Sequence, residues 1–126
     1  MNIYLETKNE NKSNYTLEEI TNIIENNKGL EEIIISNGIN KYPCLVVQLN
    51  NDLACINYFP KEEDEMNLTS LGNYDKEVEF LAGGEKWTAP CNCVVKNADA
   101  ILCIKEFINN DSKLPTCIKW HNIVGE

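Results

Sequence analysis

The side chains best able to do chemistry in this chain are six cysteines, one histidine and a run of four consecutive acids. Cys91 and Cys93, in "PCNC", come nearest to a metal-ligand pair. Zinc sites favour two to four residues between paired cysteines and need two further ligands. Here one residue intervenes, and Cys117 and His121 are the ligand types that would complete such a set. If the stretch is extended, alternate residues point the same way, so both thiols face the core or both face solvent. A small metal- or thiol-dependent protein using Cys91 and Cys93 is therefore one reading of the chain.

Other chemistries find less support. Nucleophilic catalysis needs a base within reach of its nucleophile, yet no serine lies in a glycine-flanked elbow. His121, beside Trp120, reads as a half-exposed residue at a strand end. The run Glu62, Glu63, Asp64 and Glu65 in "FPKEEDEMN" is consecutive and lacks glycine, whereas calcium loops space their ligands at alternate positions around one. It reads as a solvated loop. "LAGGEKW" lacks the Lys-Ser/Thr and following helix of a phosphate loop, so Gly83-Gly84 reads as a turn or bulge between strands. The inventory points away from an enzyme, and no cofactor is expected.

The elements that must position these residues are legible from period and caps. With 126 residues and 43% hydrophobic content the chain suits one globular domain. A short strand is expected over 2–5. In "NKSNYTLEEITNIIENNKG", Thr16 and Glu19 form a capping box ahead of the stripe Leu17, Ile20, Ile23 and Ile24. Lys28-Gly29 is expected to stop that helix. The period then changes to alternation: "EEIIIS", "CLVVQLN" and "LACINYF" are strands, the last two joined by a tight hairpin at Asn50-Asn51-Asp52. Both faces of "LACINYF" are mostly apolar, which places it centrally in a sheet. "NLTSLGN" follows, and "EVEFLAGG" alternates Val78, Phe80 and Ala82 inward with Glu77 and Glu79 outward. A strand is expected near "APCNCVV". A second helix runs from about Ala98 to Asn109 with Asn97 as N-cap, and "TCIKW" is a last strand. The pattern predicts an α+β fold: a single domain with a largely antiparallel β-sheet packed against two helices.

Charge narrows the function. The net charge is −9, and it is confined to residues 1–40 (net −4) and 61–86 (net −5). Such polarity steers basic partners and repels nucleic acid. No apolar run approaches the roughly 20 residues that span a bilayer, so no membrane association is expected. The first residues lack the apolar core of a signal peptide. A cytoplasmic protein with reduced, core-lining thiols is expected.

The C-terminal part has an ordered set of landmarks: Tyr58-Phe59-Pro60, Ser70 and Gly72, Glu79-Phe80, Gly83-Gly84, Pro90, Ala98 and Ala100, Phe107, Pro115 and Trp120. In this order, over roughly residues 53 to 121, the chain resembles immunity protein family one. That family is found beside bacterial polymorphic toxins and contact-dependent growth-inhibition toxins. One departure is "NNDSK", where members often carry Thr-Gly before the proline. The resemblance implies a cytosolic protein that binds a cognate toxin C-terminal domain and blocks it by stoichiometric, non-covalent occlusion. Such toxins are often nucleases or nucleic-acid deaminases, whose substrate clefts are basic. Glu62, Glu63, Asp64 and Glu65, with Asp75 and Glu85, are the expected contacts to that basic surface. A generic protein-interaction module is the blander alternative, and the oligomeric state stays open.

Overall fold

In the computed structural model, residues 3–7, 11–37, 41–61 and 68–122 are described, with 11–14 as backbone only. Ten strands and two helices follow one another as β1 (Ile3–Glu6), β2 (Asn11–Tyr15), α1 (Leu17–Glu25), β3 (Leu30–Ser36), β4 (Cys44–Asn50), β5 (Leu53–Phe59), β6 (Leu68–Leu71), β7 (Val78–Ala82), β8 (Glu85–Ala89), β9 (Val95–Lys96), α2 (Asn97–Asn109) and β10 (Lys119–His121). The main sheet has the order β10-β6-β5-β4-β3-β1-β2, with β9 pairing β5 outside that path. Every pairing in it is antiparallel. This is the expected α+β architecture.

Strand alternation decides which face receives which layer. Leu45, Val47 and Leu49 of β4 and Ala54, Ile56 and Tyr58 of β5 join Ile20 and Ile24 of α1 and Ala100, Ile104, Phe107 and Ile108 of α2 in one core. Both helices thus cover the same face. Cys103 of α2 is fully buried there too, filling the place of a small hydrophobe. Tyr58 closes this core, with its ring edge-on to Phe107 at 6.3 Å and its hydroxyl donating to the Ser112 carbonyl at 3.1 Å. Trp120 lies 6.5 Å from Tyr58 and donates its indole N–H to the Pro115 carbonyl at 2.8 Å.

The opposite face receives the separate hairpin β7–β8, whose β7 packs against β3 and β4. Gly83 and Gly84 form its two-residue turn, both with positive φ (62° and 85°), the combination that fits a right-twisted hairpin. Phe80 anchors it in a second core with Cys55, Ala89, Cys93 and Val94. The landmarks Ser70 and Gly72 fasten the chain beneath this core. The far edge of β5 is shared by β9 (at Leu53 and Ala54) and β6 (at Asn57 and Tyr58). Between them the Ile56 N–H donates to Ser70 Oγ at 3.0 Å, and Ser70 Oγ donates to the Cys93 carbonyl at 2.8 Å. A serine hydroxyl therefore completes the ladder where no strand can.

Several boundaries differ from the expected ones. The capping box at Thr16 and Glu19 is made in both halves, but 11–15 form strand β2 before it. The helix ends at Glu25, short of Lys28-Gly29: Asn26 caps it at φ −98° and ψ 5°, its side chain donates to the Asn22 carbonyl at 2.9 Å, and the next N–H, of Asn27, turns to the Ile24 carbonyl at 3.3 Å. Gly29 instead begins the approach to β3, exchanging bonds of 3.0 and 3.1 Å with Asn51 of the β4–β5 turn. After Pro90 the chain makes a 3-10 turn over Cys91–Cys93, and only Val95–Lys96 is extended. Lys96, not Asn97, is the N-cap of α2.

Candidate interaction site

Among the described residues the hairpin β7–β8 does not cover the whole helix-free face, and a recess lies between β8 and the sheet. Two bonds fix the hairpin's position. Asn50 Nδ2 of β4 donates to the Glu79 carbonyl at 2.9 Å, and the Gly83 N–H donates to both carboxylate oxygens of Glu32 at 3.2 Å. With β7 pinned, β8 stands beside the sheet and encloses a volume of about 550 Å³. Ile34, Val46 and Phe59 form its apolar floor, Trp87 a wall, and Glu32, Glu85 and Lys86 its charged border. The volume falls within the roughly 300–1,000 Å³ typical of ligand clefts.

Register explains the polar groups inside it. Gln48 pairs across the sheet with Glu32 on β3 and Cys55 on β5, so these three side chains form one row on the helix-free face. Asn57 and Thr69 pair in the next row, and Thr69 Oγ1 donates to Asn57 Oδ1 at 2.9 Å. Gln48 is only 5% exposed, and its Oε1 has no hydrogen-bond partner among the described residues. An unsatisfied buried acceptor of this kind costs about 1–3 kcal/mol. Two smaller hollows continue the recess along the same face, of about 180 Å³ (with Glu6, Glu31 and Leu81) and 230 Å³ (with Lys41, Tyr42 and Cys44). Across the three, four carboxylates face two lysines among the described residues. Lys86 is drawn aside by Glu79, its Nζ lying 3.9 Å from Oε1.

Of the six acids expected to meet a partner, Glu62, Glu63, Asp64 and Glu65 lie outside the described residues. Asp75 and Glu85 are both exposed, and they do not share a recess. Glu85 borders the one just described. Asp75 lines another of about 400 Å³ with Tyr74, Lys96, Asp99 and Lys119, where acids and lysines balance. The residues that sequence reasoning missed are Glu32, Gln48 and Trp87. The available signal was Gln48 itself, a polar side chain within the apolar run "CLVVQLN".

The thiols are arranged differently from the strand expectation. On the 3-10 turn Cys91 is exposed while Cys93 is fully buried, so the two do not share a face. Cys93 Sγ lies 3.5 Å from His121 Nε2, whereas Cys117 Sγ lies 3.3 Å from Cys103 Sγ. Of the four candidate zinc ligands, Cys93 and His121 come together, Cys117 instead meets Cys103 and Cys91 stands exposed, and no group of three or more candidate ligands assembles among the described residues. Burial pushes the Cys55 thiol up to about 12 and that of Cys44 to about 11, and it raises Cys103 and Cys117 as well. These shifts run against the thiolate form that nucleophilic or metal-binding cysteines need.

Among the described residues, no helix is long and apolar enough to cross a membrane. Neither a scan against protein-family models nor a comparison with curated proteins gives a match for this chain.

Proposed function

We propose that the chain is an immunity protein that binds a cognate toxin domain through a basic surface and neutralises it by stoichiometric, non-covalent occlusion. The observation that carries the reading is the helix-free sheet face, where an apolar-floored recess is bordered by more carboxylates than lysines. Protein-binding patches combine an apolar centre with a polar rim, and complementary charge speeds the encounter with a basic cleft. The net charge of −9 adds long-range attraction of the same sign. The ordered landmarks that resemble immunity protein family one support the same reading. Here Ser70, Gly72, Gly83-Gly84, Phe107, Pro115 and Trp120 serve fold-setting contacts, so they speak for a shared scaffold and leave the binding surface to other residues.

The test is co-expression with the product of the coding region directly upstream, which this reading expects to carry the toxin domain. Cells making both should survive, and the two proteins should elute as a 1:1 complex. Death of the co-expressing cells, with no complex, would refute the reading.

A further inference from the structure

We propose that the recess between β8 and the sheet is a receptor for one arginine side chain of the partner protein, with Gln48 as the residue that reads it. The inference deepens the proposed function and rests on it for the identity of the partner, though not for the chemistry. A buried amide oxygen without a donor marks a place where an incoming N–H is missing. Glu32 stands next to it across the β3–β4 ladder, and Glu85 borders the same recess, so the donor that fits is cationic. Trp87 lines the recess with an aromatic side chain, the kind that attracts a planar cation, and Ile34 and Val46 line it with apolar side chains suited to an aliphatic stem. A guanidinium combines these requirements: several N–H donors in one plane, a fixed charge and weak hydration. The Gln48 amide oxygen accepts one N–H, the rim carboxylates balance the charge, and no proton changes owner.

Two capped pentapeptides with valine-arginine-valine and valine-citrulline-valine centres test this on the full chain by NMR titration. Citrulline keeps the shape of arginine and removes its charge. The arginine peptide should shift the Gln48 side-chain amide and the Trp87 indole resonances, and it should bind at least about tenfold more tightly than the citrulline peptide. Gln48→Leu should weaken binding of the arginine peptide by about tenfold while leaving the urea midpoint unchanged or higher, because it removes an unsatisfied acceptor. A Gln48 held by a bond within the fold would instead lower the midpoint, which would overturn the assignment. Glu85→Gln, at the exposed start of β8, should reduce the preference about threefold and serves as the second variant should Gln48→Leu not fold. Equal binding of the two peptides, binding of neither, or a dimer that already shields these resonances would each overturn the proposal. The two readings fail separately. Arginine selectivity without rescue of poisoned cells would remove the immunity function and leave the receptor, and full rescue by Gln48→Leu would do the reverse.

Discussion

Replacing Gly72 by alanine should destabilise the domain far more than a single methyl suggests. A Cβ at this position would lie 2.0 Å from the Val94 carbonyl oxygen and 2.8 Å from its carbon, both of them backbone atoms. Carbon–oxygen contacts settle no closer than about 3.3 Å, so β6 and the 3-10 segment must part by roughly 1.3 Å. That separation breaks the 2.8 Å bond from the Gly72 N–H to the Asn92 carbonyl and pulls on the Ser70 bridge to Cys93. The first loss is worth about 1 kcal/mol, and stretching the buried bridge a further 1–3 kcal/mol. A stiffer unfolded chain returns only about 0.4–1 kcal/mol. The net loss is about 1–3.5 kcal/mol, or roughly 4–13 °C in Tm for a domain of this size. Gly72 is not among the residues with positive φ, so the effect is steric rather than conformational. Urea and thermal unfolding of Gly72→Ala, Ser70→Ala and the double variant measure it. The two changes should be non-additive by at least about 0.5 kcal/mol because both act on one junction. A Gly72→Ala midpoint equivalent to wild type, or strict additivity, would refute the reasoning.

Three further outcomes follow from the same contacts. Phe80→Ala removes the fully buried anchor of the hairpin and should cost about 3–5 kcal/mol in urea unfolding, with loss of the Trp87 environment by fluorescence. Thr16→Ala should cost about 1 kcal/mol by breaking the capping box of α1, and Thr16→Ser should restore most of it. The Glu106 carboxyl is held below the ordinary glutamate range, chiefly by the Thr116 backbone N–H, with the Thr116 hydroxyl and the Cys117 N–H also donating to it. A depressed folded-state value means that its stabilisation is present above the unfolded value and is lost as pH falls through the folded one. Wild type should therefore lose more stability than Glu106→Gln on acidification below about pH 4.3, as read by thermal midpoints across that range.

Much of the fold was legible because local and long-range signals agreed. The alternation in β3, β4 and β5 is strong enough to set both the strands and their faces, and the Thr16–Glu19 box marks the start of α1 unambiguously. Boundaries failed where local polar groups compete with regular structure. At the end of α1 the Asn26 side chain takes up the Asn22 carbonyl, and Pro90 is followed by a tight turn that divides Cys91 from Cys93. The recess was not legible at all, since it depends on register. Glu32, Gln48 and Cys55 are far apart in the chain and become one row only when β3, β4 and β5 pair. The acids that stood out as a run, Glu62 to Glu65, fall outside the described residues; of the two expected contacts that are described, Glu85 borders the recess.

The most direct measurement of the central claim is the rate of association with the toxin domain that the proposed function expects to be encoded directly upstream, followed by stopped-flow across ionic strength. Wild type should associate quickly at low salt and slow steeply as salt rises. Charge reversal of Glu62, Glu63, Asp64 and Glu65, together with Glu85→Lys, should slow association by at least about tenfold and flatten the salt dependence. An unchanged rate and slope in the charge-reversed protein, or no association of the wild type with the toxin, would contradict the account.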